Sequence, residues 1–241
     1  MESLELARLV RACVPADHPV SGDGMRAILR ELAEGERTLR VLEVGGGRTP
    51  LLAPEECDSL GIEYWVNDIS QDELDLVADD YKTARFDIAG APGELPMDEF
   101  DVVFSRSVLE HVADTDRAIS NTRSLLRPGG VMIHTFPTLY NPAYLVNKVL
   151  PDGASRFLLR RVVHFTYEKF PAKYHKTTSS RRQLKRLESL GFSEAAIVPF
   201  WGHEYLHFAP RLAALEARFA RAARDHDWRW YSTFAYLAAR R

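Results

Sequence analysis

The residues of this chain best suited to chemistry begin in the stretch VLEVGGGRTP, residues 41–50. Glu43 is a carboxylate inside an otherwise apolar run, and Gly45, Gly46 and Gly47 follow at once. Three glycines after a buried strand let the backbone turn sharply and let a ligand lie against bare main chain. A carboxylate at such a strand end accepts from ligand hydroxyls or an ammonium and is poorly suited to phosphate. Asp68 closes the next apolar run, where an acidic side chain can accept from both hydroxyls of a ribose. Asp68-Ile69-Ser70 reads equally as a helix N-cap for the QDELDLV that follows. The two sites together point to a nucleoside-bearing cofactor. Histidines that could move a proton near neutral pH stand at His111, His134, His175, His203 and His207.

A dinucleotide site is the first alternative to weigh. Its Gly-x-Gly-x-x-Gly fingerprint, counted from Gly45 and Gly47, needs a third glycine where Pro50 stands. A pyrophosphate also wants helix N-terminal amides without a carboxylate beside them. Both points argue against a nicotinamide oxidoreductase.

The elements that must position these residues alternate strand and helix. VLEV (41–44) and FDVVF (100–104) have the continuous apolar character of strands buried in a parallel sheet. Between them lie IEYWVN, ending at Asp68, and the shorter ARFDI (84–88). VMIHTF (131–136), EAAIVPFW (194–201) and YSTFAYLAA (231–239) supply three more, the last expected antiparallel. Helical spacing marks residues 2–12 and 23–34, with Gly35 as stop, and DTDRAISNTRSLL, ended by Arg127-Pro128-Gly129-Gly130. It marks also SRRQLKRLESLGF, with Gly191 as stop, and about 210–224. The length of 241 residues fits one elaborated domain. With 46% hydrophobic and 27% charged residues the chain reads as globular and not disordered. A net charge of −3 gives no reason to expect nucleic acid as partner. Two cysteines without metal or disulfide spacing, and a first segment without signal-peptide character, make a reducing cytoplasm the expected home. No apolar run approaches the roughly 20 residues of a membrane span.

The Glu-x-Gly-x-Gly pattern resembles the first motif of class I S-adenosylmethionine-dependent methyltransferases. LPMDEFDVVFSRSVLEHV resembles the ubiquinone-biosynthesis-type (methyltransferase type 11-like) branch, and the likeness covers about residues 39–136. The resemblance implies an α/β, Rossmann-like fold with a seven-stranded mixed sheet in the order 3-2-1-4-5-7-6 and helices on both faces. It implies cofactor contacts at Glu43, Val44, Gly45, Gly46, Gly47, Asp68, Ile69 and Ser105, with Asp87 on the adenine amine and the Ile88 amide on the ring. The chain then divides into an N-terminal helical cap (1–37), a cofactor-binding core (38–136), a substrate lid (137–180) and a C-terminal part of the core (181–241) with a helical insert.

S-adenosylmethionine carries an activated methyl, so the protein has to align an acceptor, exclude water and handle one proton. The expected reaction is O-methylation of a hydroxyl on a small molecule, with a sugar, glycoside or other natural product favoured. His111 is the first candidate base and His134 the second. Tyr140, Tyr144, His175, His203 and His207 are candidates for touching the acceptor. Related ubiquinone-pathway enzymes carry Glu-x-x-Glu-His for a divalent cation; here Ser107 replaces the first carboxylate, leaving Glu110 and His111, with His203 or Glu204 as completing ligands for Mg²⁺. Also open are N- or C-methylation and a cofactor-binding module without turnover. Ser105-Arg106-Ser107 stands where many base and amide N-methyltransferases carry Asn-Pro-Pro-Tyr. The sequence leaves monomer and homodimer open.

Overall fold

The computed structural model describes residues 2–16, 22–35, 37–91, 97–139, 178–202 and 210–241. Seven strands form one sheet: β1 (Leu39–Val44), β2 (Ile62–Asp68), β3 (Lys82–Arg85), β4 (Phe100–Arg106), β5 (Leu126–Pro137), β6 (Glu194–Phe200) and β7 (Phe234–Arg240). Their order is β3-β2-β1-β4-β5-β7-β6, as expected. β1 to β5 run parallel, and β7 inserts antiparallel between β5 and β6. Among the described residues the helices are α1 (Leu4–Cys13), α2 (Gly22–Leu32), α3 (Pro54–Leu60), α4 (Gln71–Leu74), α5 (Thr115–Leu125), α6 (Arg181–Ser189) and α7 (Pro210–Asp225).

Alternation along each strand divides the side chains between two cores. Val41, Tyr64, Val66, Phe104 and Ile133 face α1 and α2, which contribute Leu6, Val10, Met25, Ile28 and Leu29. Leu42, Val44, Val103, Met132 and Leu237 face α5 and α6, which contribute Ile119, Leu125, Leu184 and Leu187. A strand apolar on both sides is thus the signature of a sheet covered on both sides. Burying each large aliphatic side chain is worth about 1.5–3 kcal/mol.

Local signals set the helix ends. The Ser3 hydroxyl accepts from the Leu6 amide, and Asp114 accepts from the Arg117 amide at 3.1 Å. Gly61 (φ +63°) ends α3 and Gly191 (φ +85°) follows α6. α1 packs on β6 and β7, and the Ser3 amide donates to the Ala195 carbonyl at 2.7 Å, so the first helix covers that end of the sheet.

Three expectations need adjustment. β3 lies two residues earlier than ARFDI, so Asp87 and Ile88 sit in the turn after it. QDELDLV yields a single helical turn. α2 ends at Leu32, ahead of Gly35, which holds no left-handed backbone. The 140–177 part of the expected lid lies outside the described residues.

Candidate active site

β1 has β2 on one side and β4 on the other, with Val44 opposite both Asn67 and Ser105. The carboxyl ends of these three strands therefore share one edge, at the point where strand order reverses, the usual ligand crevice of an open α/β sheet. The glycine loop leaves β1 there. Gly45 (φ +69°) and Gly47 (φ +46°) hold backbone that L side chains rarely adopt. A Cβ at Gly45 would stand 2.5 Å from Val108 Cγ2, and one at Gly47 would stand 3.1 Å from Asp68 Oδ2. The Gly46 amide donates to the Asn67 carbonyl at 3.0 Å. The loop is thus pressed between the end of β2 and the segment after β4, with space only for glycine. That bare, braced main chain suits the close approach of a nucleoside cofactor.

Glu43 lies on the opposite face of β1 from Val44 and is 1% exposed. One carboxylate oxygen accepts from the Tyr64 hydroxyl at 2.6 Å and the Leu51 amide at 2.8 Å. The other accepts from Arg106 Nε at 2.9 Å, with Nη2 at 2.7 Å. Arg106 Nη2 also donates to the Thr49 carbonyl at 2.9 Å. Glu43 therefore braces both ends of the loop from beneath. Burial first, and Glu43 second, push the Tyr64 phenol well above its ordinary range, so it stays a donor. Arg106 was not among the sequence candidates. The signal was available: a buried acid at one strand end calls for a cation, and Arg106 is the one basic residue of the neighbouring strand.

Asp68 serves two ends. Its Oδ1 accepts from the Ser70 amide at 2.9 Å, while Oδ2 faces Gly47. Capping the turn and facing the glycine loop thus coexist. Arg48 forks onto Glu73, at 2.6 and 2.5 Å, and ties the loop to α4. Ile69 is exposed. Asp87 is exposed too, its Oδ1 accepting from the Ala89 amide at 2.8 Å. Ile88 points its side chain into the core, and its carbonyl accepts from Asn121 Nδ2 at 2.7 Å. Buried Asn67 holds the same stretch from the other side, donating to the Ala84 and Phe86 carbonyls at 2.9 and 3.0 Å. Neither asparagine was singled out in the sequence.

Ser105 and His134 are opposite residues of β4 and β5, both buried, with Ser105 Oγ 2.7 Å from His134 Nδ1. Burial pushes the His134 imidazole down to about 3, so it is neutral, and its Nε2 is buried without a partner among the described residues. After β4, Ser107 adopts φ +54° while its amide donates to the Thr135 carbonyl at 2.9 Å. That strained residue turns the chain so that Val108 packs on Gly45 and Leu109–His111 form a 3-10 turn. His111 is exposed and Glu110 is fully buried. The Glu110 oxygens have no partner of good hydrogen-bond geometry among the described residues. Burial pushes its carboxyl up to about 8, outweighing its own backbone and Ser107. The Mg²⁺ expectation finds no support in this arrangement, because the two adjacent side chains take opposite environments. Among the described residues no group of three His, Cys, Asp or Glu could hold an ion. Tyr140, Tyr144, His175, His203, Glu204 and His207 lie outside the described residues.

Residues 17–193 match the methyltransferase domain family. The chain is 26% identical over 174 residues to a ubiquinone biosynthesis O-methyltransferase of Brucella ovis, covering 68% of this chain and 66% of that protein. It is 32% identical over 107 residues to the highly reducing polyketide synthase stpks1 of Strobilurus tenacellus, covering 39% of this chain and 4% of that protein. The chain thus spans only part of the length of these curated relatives. Among solved structures, phosphoethanolamine N-methyltransferase 2 of Haemonchus contortus, in complex with S-adenosyl-L-methionine, shares the fold. Its TM-score is 0.54 at 15% identity, covering 90% of this chain and 52% of that one. Family match, sheet order and glycine loop agree: the chain belongs to the methyltransferase domain family, as a class I S-adenosylmethionine-dependent methyltransferase.

Proposed function

We propose that this protein methylates a hydroxyl of a small molecule, a sugar, glycoside or other natural product, with His111 as general base. The observation that carries this reading is the placement of His111. It is exposed on the turn whose Val108 rests against Gly45, whereas His134 is buried, neutral and paired with Ser105. An imidazole held near 3 is a poor proton acceptor at neutral pH, so the base role falls to His111. Likeness to an O-methyltransferase and to a polyketide synthase supports a natural-product hydroxyl as acceptor.

The cofactor would be held by the main chain of Val44 to Gly47, by Asp68 at the ribose, and by Asp87 and the Ile88 amide at the adenine, flanked by Ile69 and Ser105. Bound there, it supplies an activated methyl on a sulfonium. The protein's share is to hold the acceptor in line, exclude water and take the hydroxyl proton on a His111 ring nitrogen. Residues 137–180 are assigned to covering the acceptor, and Tyr140, Tyr144, His175, His203 and His207 to contacting it. Residues 1–37 act as a cap, and 38–136 with 181–241 as the core.

The test is methyl transfer to a panel of sugar and polyketide hydroxyls. His111→Ala should lower kcat by about 10²–10⁴-fold and leave binding of S-adenosylhomocysteine unchanged. Full activity in that variant would overturn the assignment.

A further inference from the structure

The helix between β6 and β7 carries a stripe of exposed apolar side chains along one flank. α7 buries only Ala220 and Ala223. Leu212, Leu215 and Phe219 are 55%, 64% and 40% exposed. Their spacing of three and four residues places them in one line along the helix. The stripe continues into the 3-10 turn Arg229–Tyr231, where Trp230 is 56% exposed. The Phe219 ring meets Tyr231 edge-on at 4.6 Å and Trp228 at 5.6 Å, so the aromatic end of the stripe is held in place from behind.

The charge beside the stripe has one dominant sign. Helical geometry puts Arg211 and Arg218 along its edge, and Arg221 on the side away from it. None of the three has an ion-pair partner among the described residues, and Arg224 pairs with its neighbour Asp225 at 3.5 Å. The acids of this helix are Glu216, which sits part-buried beside Tyr231, and Asp225. This basic face stands out on a chain whose net charge is −3.

We propose that α7 and the turn after it dock on an anionic membrane surface. Leu212, Leu215, Phe219 and Trp230 would enter the boundary between headgroups and acyl chains, and Arg211 and Arg218 would face lipid phosphates. No helix among the described residues is long and apolar enough to cross a membrane, and the contact proposed here is a peripheral one. A second copy of the chain is the poorer occupant. A two-fold contact would set this arginine row against itself.

The experiment is co-sedimentation of the full chain with phosphatidylcholine vesicles, with and without phosphatidylglycerol. The protein should pellet with the anionic vesicles alone and be released by high salt. Arg211→Gln and Arg218→Gln should each weaken binding about fivefold. Leu215→Glu should abolish it, and Leu4→Glu, an equally exposed leucine elsewhere, should change nothing. Circular dichroism and S-adenosylhomocysteine titration confirm that each variant is folded. Failure to pellet with anionic vesicles would overturn the proposal, as would binding indifferent to the α7 substitutions. Sedimentation as a dimer that Leu215→Glu dissociates, without vesicle binding, would assign the face to a second copy.

Discussion

Replacing Arg106 by alanine removes the cation from a carboxylate that has almost no water to turn to. Glu43 would keep the Tyr64 hydroxyl and the Leu51 amide but lose both guanidinium contacts, and Thr49 would lose its donor. Removing one partner of a buried pair costs about 3–5 kcal/mol. Arg106 is itself 32% exposed, so water replaces part of what it gives, and the expected loss is about 2–3 kcal/mol. For a chain of this length that is a fall in Tm of about 4–12 °C. The clamp also fixes the loop 45–51, so ordering it on binding should raise the Kd for S-adenosylhomocysteine about tenfold, or about 1.4 kcal/mol. The double variant Glu43→Gln/Arg106→Leu should recover part of the stability, because the amide still accepts from Leu51 without a stranded charge. Thermal unfolding and calorimetric titration read both quantities. An Arg106→Ala protein with unchanged Tm and unchanged affinity would refute the bracing role.

Other consequences follow from the same geometry. Asp68→Ala should weaken S-adenosylhomocysteine binding by about 10–100-fold, the loss of charge-assisted hydrogen bonds worth about 1.5–3 kcal/mol; unchanged affinity would remove Asp68 from the ribose. Gly45→Ala should abolish cofactor binding, because its Cβ would meet Val108 at 2.5 Å on a left-handed backbone, and a titration matching wild type would contradict that packing. Stability against pH should show two opposed slopes. Glu110 rises from 4.5 to about 8 on folding, so the unfolded chain releases its proton first and stability falls between those values as pH rises. His134 falls from 6.5 to about 3, so stability rises with pH through that window. The two offset each other between about 4.5 and 6.5, below that the His134 rise stands alone, and from about 6.5 to about 8 stability should drop by about 1.4 kcal/mol per pH unit. Urea unfolding across this range measures it, and Glu110→Gln should flatten the drop.

Much of the fold was legible because the sheet is buried on both sides. Runs such as Val41–Val44 and Phe100–Phe104 admit few other readings, and the glycines that end α3 and follow α6 mark their own positions. β3 was misplaced by two residues because Lys82–Arg85 is an exposed edge strand with no apolar run; Phe86 and Ile88, which drew the prediction, are buried in the turn beyond it. The glycine loop follows β1 and Asp68 closes β2, as the apolar runs indicate. Their bracing was not legible, because Arg106, Asn67 and Asn121 act through partners 17 to 63 residues away in sequence. Periodicity cannot show such pairings. The same limit applied to Glu110 and His111: adjacency in sequence suggested a shared ligand set, and a 3-10 turn sends one inward and the other to solvent.

The mechanism stands or falls with the loop Val44–Gly47 and Asp68 as an S-adenosylmethionine site. Calorimetric titration of the protein with S-adenosylhomocysteine and, separately, with NAD decides it. Micromolar binding of the homocysteine compound and no heat from NAD are expected. Clear heat from NAD with none from S-adenosylhomocysteine would contradict it.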